Sequence, residues 1–560
     1  MSRLIEDAAK AAVNHAEKAA VRAVVFHHLA GIVLAPVIKA LADRGVFAVL
    51  ADAPKGIGLD KVVERTGGNR GYLRVALRLL VSCGWMTQDA HAERDNAELR
   101  YALTPEGKIA VWLAPLYGEV VSFIPKALFL DDFLFGKSDR AVLPHMLDLS
   151  RRARERWGIY IQGDTTAARV HRQTVRYLDG MLVGPAMVAL AREGVFHQLE
   201  AAPQSVEVGL LPGNQRSLAM VFDLLVLQGW VVREHGRLGL TRTGRYAAQI
   251  ATSYGVTVSY LPLLNEIGVL LFGNAKIPRV DDAGGELLVN RGMNVWGSGG
   301  AHNTYFKKSG EIIAEIFNRP LDQQPQGICD MGCGDGSLLE HLYSIIKAGT
   351  LRGRALDTHP LVMIGADVSK VARRVAKQKL RQAGIPTFHV IRGDINRPAY
   401  LASELEQLGL DIHNLLHVRS FLDHNRPYVP PANYIRGSRS ARAAGAFACL
   451  GEEIPADELE ENLVRHLRRW APYVGRFGLL VMELHTLPPQ LTAANLDRTL
   501  AVAYDATHGF SDQYLVELDV FLACASEAGL AAEPRFQASF PPSELATVSI
   551  NFFKGVRVEN

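Results

Sequence analysis

Three glycines at alternate positions follow a short apolar run, in the pattern Asp330-x-Gly332-x-Gly334-x-Gly336. The apolar run is typical of a strand, and residues 337–346 after the glycines are typical of a helix. Glycines at such a turn let the backbone approach a ligand closely, and the first N–H groups of the helix point toward that ligand. A carboxylate at Asp330 would repel a pyrophosphate, but it can bind the ammonium group of a nucleotide-like ligand that carries an amino acid.

Two more acidic residues stand at the ends of predicted strands further along the chain. Residues 362–367 and 388–395 are predicted to be the second and third strands, and they end in Asp367 and in Asp394-Ile395. In dinucleotide folds, a carboxylate at the end of the second strand lies where the ribose diol binds. Asp367 is therefore the predicted ribose contact.

A second polar cluster follows the predicted fourth strand, residues 411–417. It contains the candidate catalytic residues Arg419, Asp423 and His424. A histidine beside a bound cofactor can act as a general base. Sites in open α/β sheets lie at the carboxyl ends of the strands, which is where this cluster is predicted to be.

The same cluster also has the donors for a metal ion. Asp423 and His424 could both turn inward as ligands, and a later segment adds His508 and Gln513. A set of oxygen and nitrogen donors without thiolate suits iron(II) or manganese(II) with open positions better than structural zinc. The spacing alone leaves three interpretations open: a metal site, a general base, and ordinary hydrogen-bonded histidines.

The elements that must position these residues alternate between strands and helices from residue 327 to residue 553. This order predicts an α/β Rossmann-like domain with a doubly wound sheet of seven strands. Residues 293–306 before it are rich in glycine and aromatic residues, and the pattern predicts either a substrate or cofactor loop or a hinge there, leading into a helix.

The N-terminal half contains an internal repeat. Each copy predicts helices followed by a two-stranded wing that ends in Leu-Thr, which is the order of a winged helix. The third helices lack a polar face for reading bases, so we expect no nucleic-acid binding. The predicted domains are residues 1–130, 131–285 and 286–560. The repeated phrases are Gly45-Val46-Phe47 with Gly194-Val195-Phe196, Gly84-Trp85 with Gly229-Trp230, and Leu103-Thr104 with Leu240-Thr241.

Composition narrows the classes of protein. The 560 residues are 48% hydrophobic and 21% charged, and the net charge of +3 gives no general attraction to nucleic acid. The five cysteines are scattered without Cys-x-x-Cys pairs, which favours a reducing compartment. We recognise no signal peptide and no run of eighteen apolar residues, so we expect a cytoplasmic protein that does not enter a membrane.

The glycine turn and the acids after it resemble the class I S-adenosylmethionine-dependent methyltransferases. This resemblance implies that S-adenosylmethionine binds with its amino-acid end near the glycines, its ribose on the second acid and its adenine against the third strand. The implied cofactor residues are Tyr305, Asp330, Gly332, Gly334, Asp367, Val368, Asp394 and Ile395.

Most of the chain is also similar to the metal-dependent C-methyltransferases of polyketide synthase loading modules, of the apratoxin type. The segments that carry this resemblance are Asp423 to Arg426, His508 to Gln513 and Trp296 to Phe306, after a long helical N-terminal region. It implies that His424 and Gln513 hold a mononuclear iron(II) or manganese(II). A more distant likeness to iron-dependent 2-oxoacid C-methyltransferases leaves Asp423 and His508 as alternative ligands.

The implied reaction moves a methyl group from S-adenosylmethionine to the activated α-carbon of a malonyl- or related acyl-thioester on an acyl-carrier protein. Chelation by the metal would stabilise the enolate as it forms. The winged-helix repeats are implied to cover the active site and to form a homodimer contact. Three arginines, Arg436, Arg439 and Arg442, could dock the acidic carrier.

Three alternatives remain from the sequence. The first is a 2-oxoacid C-methyltransferase, and the second is a metal-free O-methyltransferase with His424 as general base. The third, of another class, is a winged-helix regulator that only senses its ligand. The intact series Asp330, Asp367 and Asp394 favours an enzyme.

Overall fold

A computed structural model describes residues 13–89, 99–136, 148–149, 159, 161–201, 205–282 and 285–555. The chain forms two compact units. The first contains Met1–Ala301, Ala448–Glu453 and Pro489–Ser511, and the second contains His302–Phe447, Ile454–Pro488 and Asp512–Asn560. The domain boundaries predicted at residues 130 and 285 stay predictions.

The α-helices of the described residues, in chain order, are α1 (His15–Asp43), α2 (Val46–Ala51), α3 (Leu59–Thr66), α4 (Arg70–Ser82), α5 (Pro105–Trp112), α6 (Leu116–Val121), α7 (Ile124–Ala127), α8 (Leu130–Phe135), α9 (Thr166–Arg192), α10 (Val195–Ala201), α11 (Gln215–Leu227), α12 (Arg242–Gln249), α13 (Gly255–Ser259), α14 (Leu261–Asn265), α15 (Ile267–Phe272), α16 (Arg291–Ile316), α17 (Ser337–Gly349), α18 (Leu351–Arg354), α19 (Lys370–Gln382), α20 (Pro398–Glu406), α21 (Ala456–Val474), α22 (Pro489–Ala494), α23 (Ala501–Gly509) and α24 (Leu518–Glu527).

The strands are β1 (Ile57–Gly58), β2 (Met86–Gln88), β3 (Arg100–Leu103), β4 (Val206–Glu207), β5 (Val231–Glu234), β6 (Arg237–Leu240), β7 (Gly327–Met331), β8 (Val362–Asp367), β9 (Phe388–Arg392), β10 (Leu415–Ser420), β11 (Phe447–Cys449), β12 (Glu452–Ile454), β13 (Leu479–Leu484), β14 (Leu530–Ala532), β15 (Ala538–Phe540) and β16 (Val548–Gly555).

The first unit contains the two predicted winged-helix repeats. Each repeat has a three-stranded antiparallel sheet of the same order, β1-β3-β2 in the first and β4-β6-β5 in the second. In each copy, the threonine of Leu-Thr caps the next helix by accepting a hydrogen bond of 2.9 Å from a glycine N–H three residues later. A Cβ on either glycine, Gly107 or Gly244, would lie 1.8 Å from a tryptophan carbonyl oxygen, so the repeated sequence is needed for this packing.

The third helix of the first repeat, α4, is buried from Gly71 to Ser82. Its two most buried basic residues form ion pairs within the unit, Arg74 with Glu453 and Arg78 with Asp505. Among the described helices, α1 is long and apolar enough to cross a membrane, and the bent pair α5 with α6–α7 passes only if it is counted as one span. Of the apolar window of α1, 83% is buried inside the protein, as in the core helix of a soluble protein.

The second unit is built on one mixed sheet. Its strand order is β14-β16-β13-β10-β7-β8-β9, with the short β15 also paired to β16. The pairs from β13 through β9 are parallel, and β16 runs antiparallel to its neighbours. This sheet confirms the predicted Rossmann-like class with seven strands along the main path. Because β7, β8, β10 and β13 are parallel, their carboxyl ends meet at one edge, which is where ligands bind in such folds.

The structure corrects two predictions in these regions. Residues 293–306, predicted to be a loop, lie inside helix α16. Gly297 serves close packing there, since its Cβ would lie 2.5 Å from the backbone nitrogen of Val256. The fourth strand begins at Leu415 instead of residue 411, so Arg419 lies on β10 and not in the loop after it.

Candidate active site

The glycine turn after β7 has the backbone that its sequence predicts. Gly332, Gly334 and Gly336 have φ angles of +78°, +53° and +83°, which side chains other than that of glycine rarely allow. The N–H of Gly332 donates to the carbonyl of Ala366 on β8 at 2.7 Å. A Cβ on Gly334 would meet nothing within 4 Å, so the turn is open on that side.

Asp330 is the residue of the turn that most clearly points to a ligand. Its residue exposure is 1%, and its Oδ1 has no hydrogen-bond partner among the described residues. Burial raises the pKa of Asp330 well above its ordinary value, and the charges of Asp367 and Asp335 raise it further. A buried carboxylate without a partner is costly, so a cation beside this side chain would be stabilising. The ammonium group of S-adenosylmethionine is a fitting partner.

The other predicted cofactor residues lie around this turn in the same unit. Asp367 accepts hydrogen bonds from the N–H groups of Gly334 at 3.1 Å and Ser369 at 2.8 Å, so its carboxylate organises the turn. Its neighbour Val368 is 63% exposed. Asp394 accepts from the N–H of Asn396 at 2.9 Å.

Two further predicted contacts are apolar or aromatic. Ile395, after β9, is buried, and its carbonyl accepts a hydrogen bond of 2.7 Å from the indole of Trp470. Tyr305 on α16 lies 5.9 Å from Phe421 and 5.0 Å from Phe540 between ring centroids. Burial raises the pKa of the Tyr305 hydroxyl, which keeps this side chain neutral.

His424 is held by a carboxylate that the sequence analysis did not single out. It lies in a short turn after β10, is buried, and its Nδ1 is hydrogen-bonded to Glu483 at the end of β13. The other carboxylate oxygen of Glu483 accepts the backbone N–H of His424 at 3.1 Å. An ionised carboxylate only accepts hydrogen bonds, so Nδ1 carries the proton and Nε2 carries the lone pair. This tautomer suits either a general base or a metal ligand.

Glu483 could have been found from the sequence by the rule that selected Asp367. It is an acid near the end of a predicted strand, residues 475–484, at the edge where ligands bind. The segment 423–424 drew attention to the loop after the fourth strand, and the partner on the fifth strand was missed because only the fold brings the two together.

Asp423 and Arg419 form a buried ion pair with each other. Arg419 donates to Asp423 Oδ1 at 2.6 Å, and His466 on α21 lies 2.9 Å from the same oxygen. Although burial alone would raise it, Arg419 and His466 hold the pKa of Asp423 below its ordinary value. Burial lowers the pKa of His466 to about 4. The guanidinium of Arg419 also stacks 4.1 Å above the ring of Trp470.

This network lies behind the loop that carries His424. Arg426 strengthens it by donating to the carbonyl of Asp423 at 2.9 Å and to Asn462 at 2.8 Å. In this arrangement Asp423 and Arg419 brace the loop. Their predicted roles in catalysis or metal binding stay predictions.

Of the residues predicted to bind a metal, Asp423, His424 and Gln513 lie in the second unit and His508 lies in the first. Tyr514 donates its N–H to the carbonyl of His424 at 2.8 Å, which brings the segment that contains Gln513 next to the histidine. His508 belongs to the first unit, where its Nδ1 lies 2.7 Å from the carbonyl of Tyr504. The described residues include no cluster of three or more His, Cys, Asp or Glu residues that could hold a metal ion. The metal-ligand roles predicted for these residues stay predictions.

Comparisons with known protein families match three segments of the chain. Residues 21–88 match the AprA N-terminal domain, residues 179–274 the AprA winged helix domain, and residues 286–551 the AprA MT2-like domain. The last match is to a methyltransferase family and contains the glycine turn, so the chain is a class I S-adenosylmethionine-dependent methyltransferase. Because all three matched models describe domains of AprA, it is a methyltransferase of the AprA type. The predicted enzyme class and the prediction of S-adenosylmethionine as a cofactor are thereby confirmed.

Solved structures are similar to the chain at low identity. The mitomycin 7-O-methyltransferase MmcR has 14% identity and a TM-score of 0.40, over 70% of this chain and 100% of that one. Human N-acetylserotonin methyltransferase has 15% identity and a TM-score of 0.38, over 70% and 99%. An O-methyltransferase family 2 protein from Planctomyces limnophilus has 10% identity and a TM-score of 0.37, over 95% and 96%. Scores this low carry no argument. No curated protein matches the chain.

Proposed function

We propose that this protein is a cytoplasmic C-methyltransferase of polyketide or related natural-product biosynthesis. It transfers the methyl group of S-adenosylmethionine to the α-carbon of a malonyl- or related acyl-thioester carried by an acyl-carrier protein. The observation that carries the proposal is the buried His424–Glu483 pair at the carboxyl edge of the sheet. His424 follows β10, the neighbour of the strand that leads into the glycine turn, and Glu483 lies on β13, one strand further along.

The cofactor end of the reaction depends on the glycine turn. Asp330 binds the ammonium group, and Asp367 binds the ribose while it holds the turn through Gly334. A methyl transfer needs the sulfonium carbon and the acceptor carbon in line, so fixed positions for both molecules supply much of the rate. The aromatic cluster of Tyr305, Phe421 and Phe540 excludes water from this side.

The acceptor end depends on His424. Glu483 keeps the ring in the tautomer with its lone pair on Nε2, and in this proposal His424 uses that lone pair as a metal ligand and not as a base. The α-carbon of a malonyl-type acceptor lies between two carbonyls, so its proton is acidic enough to pass to water without a strong base. A divalent ion held by His424 and Gln513 would, when bound, stabilise the enolate oxygens of a malonyl-type acceptor. The orientation of His424 by Glu483 is what metal-binding histidines commonly have, which supports this iron(II) or manganese(II) site.

The carrier would dock through residues 434–442, a segment between β10 and β13 that contains three arginines. Two of its three arginines are neutralised within the unit: Arg436 donates to Glu458 at 2.9 Å, and Arg439 is paired with Glu527. Arg442 is exposed and has no ion pair among the described side chains. Arg442 is therefore the arginine best placed to attract an acidic carrier, and such attraction acts mainly on the association rate.

A second candidate is metal-free O-methylation with His424 as general base. The specific observation in its favour is that His424 already has a carboxylate partner, while the described residues offer no three-residue cluster of metal-binding side chains. A hydroxyl acceptor needs only a base beside it. The two candidates differ in the atom that is methylated and in the need for a metal.

One experiment on the purified protein separates them. Malonyl-pantetheine, a 2-oxoacid and a phenolic acceptor are offered with S-adenosylmethionine, before and after treatment with a chelator, and bound metal is measured by elemental analysis. The C-methyltransferase predicts one equivalent of metal, lost in His424→Ala together with turnover of the thioester. His359→Ala, which removes an exposed histidine, is the matched control. Turnover of the phenol alone, unaffected by chelation, would refute the proposal.

A further inference from the structure

The two longest helices of the first unit carry the same landmarks at the same spacing. Gly31 and Pro36 of α1 recur as Gly180 and Pro185 of α9, and both offsets are 149 residues (180 − 31 and 185 − 36). Both prolines lie inside their helices, and both glycines are buried. The two helices are therefore copies of one element, and their landmarks can be followed in the packing.

The copies pack on each other through reciprocal contacts. A Cβ on Gly31 would lie 2.3 Å from the carbonyl oxygen of Tyr177, and a Cβ on Gly180 would lie 2.3 Å from the carbonyl oxygen of His28. Tyr177 stands 149 residues after His28, so it is the equivalent residue of the second copy. The glycine of each copy therefore packs against the same position of the other copy, as in a twofold symmetric pair.

The tryptophans of the two wings repeat this exchange. Trp85 of the first copy lies 6.3 Å from the ring of Tyr177, and Trp230 of the second copy lies 5.8 Å from the ring of His28. Each tryptophan contacts the long helix of the other copy. The indole N–H of Trp85 also donates to Gln173 on α9 at 2.9 Å.

The helices that follow the wings add contacts to this interface between the two copies, which we call the seam. In one direction, Glu106 on α5 of the first copy pairs with Arg169 on α9 at 3.5 Å. In the other, Arg22 on α1 donates to the hydroxyl of Tyr246 on α12 at 3.0 Å. Self-complementary contacts of this kind are what a twofold symmetric dimer makes between two chains.

The third helix of the first copy also holds segments from the C-terminal half of the chain. It binds Glu453 and Asp505 through Arg74 and Arg78. At the 145-residue offset of the tryptophans (230 − 85), the second copy has Ala219 and Asp223 instead. The second copy therefore keeps the seam but lacks these arginines.

We propose that the N-terminal region is an internal pseudo-dimer. The partner of its self-complementary surface is the second repeat of the same chain, which takes the place of the homodimer contact that the sequence led us to expect. The protein is then a monomer with one methyltransferase site for two winged-helix repeats. This inference does not depend on the identity of the methyl acceptor.

The test uses the full-length protein at concentrations that span about two orders of magnitude. Light scattering after gel filtration should give the mass of one chain, 61.3 kDa, at every concentration. The Tm should not depend on concentration, because only an association between chains makes stability concentration-dependent. A mass of two chains, with a Tm that rises with concentration, would overturn the proposal.

Glycine variants test the seam itself. Gly31→Ala and Gly180→Ala should each lower the Tm by several degrees and leave the mass unchanged. Gly268→Ala is the matched control, because a Cβ on this glycine, also inside a helix, meets nothing within 4 Å. A Tm at or above that of the control, or a shift from a heavier to a lighter species in either seam variant, contradicts the internal seam. If a seam variant fails to fold, the mass of the unaltered protein still decides.

Discussion

Replacing Asp330 with Asn tests how the glycine turn holds S-adenosylmethionine. Asn keeps the size of the side chain and removes the charge of a carboxylate whose Oδ1 has no partner among the described residues. A hydrogen bond to a charged group contributes about 1.5–3 kcal/mol. Since 1.4 kcal/mol is a factor of ten, the Kd for S-adenosylmethionine should rise roughly 10- to 150-fold.

The same change should stabilise the protein without ligand. The pKa of Asp330 is raised in the folded state, so the folded state prefers the protonated acid. Its ionisation therefore costs stability, beginning above the unfolded pKa of about 3.9 and increasing with pH up to the raised folded pKa. The neutral amide of the Asp330→Asn variant is free of this cost. The ligand-free Tm of Asp330→Asn should exceed that of the unaltered protein at pH 7, and the difference should shrink as the pH approaches about 4.

Titration calorimetry gives the Kd, and thermal unfolding at several pH values without ligand gives the Tm. Asp322→Asn, which changes an exposed acid of the same unit, is the matched control and should alter neither quantity. A folded Asp330→Asn protein with an unchanged Kd would mean that the ammonium group binds elsewhere. A lower ligand-free Tm at pH 7 would mean that the Asp330 carboxylate has a partner within the protein.

Four further outcomes are expected. Glu483→Gln should lower kcat by on the order of 10- to 100-fold with little effect on the Kd for S-adenosylmethionine, because His424 loses the carboxylate that orients it; an unchanged kcat in a methyl-transfer assay would rule out the dyad. Arg78→Met should lower the free energy of unfolding by about 3–5 kcal/mol, since it breaks a buried ion pair with Asp505, and adding Asp505→Asn should recover much of it in denaturant titrations. Arg442→Glu should raise the KM for a carrier-bound thioester and leave that of a pantetheine analogue unchanged at low salt; equal effects on both would exclude docking there. Duplex DNA should show no salt-steep, sequence-selective binding in gel-shift assays, and a specific shift would restore the regulatory interpretation.

The parts of the fold that sequence could predict are those where backbone geometry demands a residue type. Positive φ at Gly332, Gly334 and Gly336 requires glycine, so the turn is visible as a pattern. The repeat can be recognised in the sequence because Gly107 and Gly244 each pack against a tryptophan carbonyl that leaves no room for a Cβ. Local constraints of this kind leave a mark on the sequence.

The parts that could not be predicted depend on contacts between distant segments. Glu483 and His466 were missed because they meet His424 and Asp423 only after the sheet and α21 have formed. The glycines of residues 293–306 indicate a loop when taken alone. Within the protein, this segment is part of the continuous helix α16, and Gly297 lets that helix pack closely against Gly255 of α13. Tertiary packing therefore overrides the low helix propensity of the glycines.

The central claim is methyl transfer to carbon by the site that contains His424 and Glu483. Its most direct test is the reaction of the purified protein with S-adenosylmethionine labelled with ¹³C at the methyl group and a malonyl-thioester on its carrier, followed by NMR of the product. The label should appear on the α-carbon with the unaltered protein, and should be absent with His424→Ala although this variant still binds S-adenosylmethionine. A label on oxygen, or undiminished labelling of carbon by His424→Ala, would contradict the account.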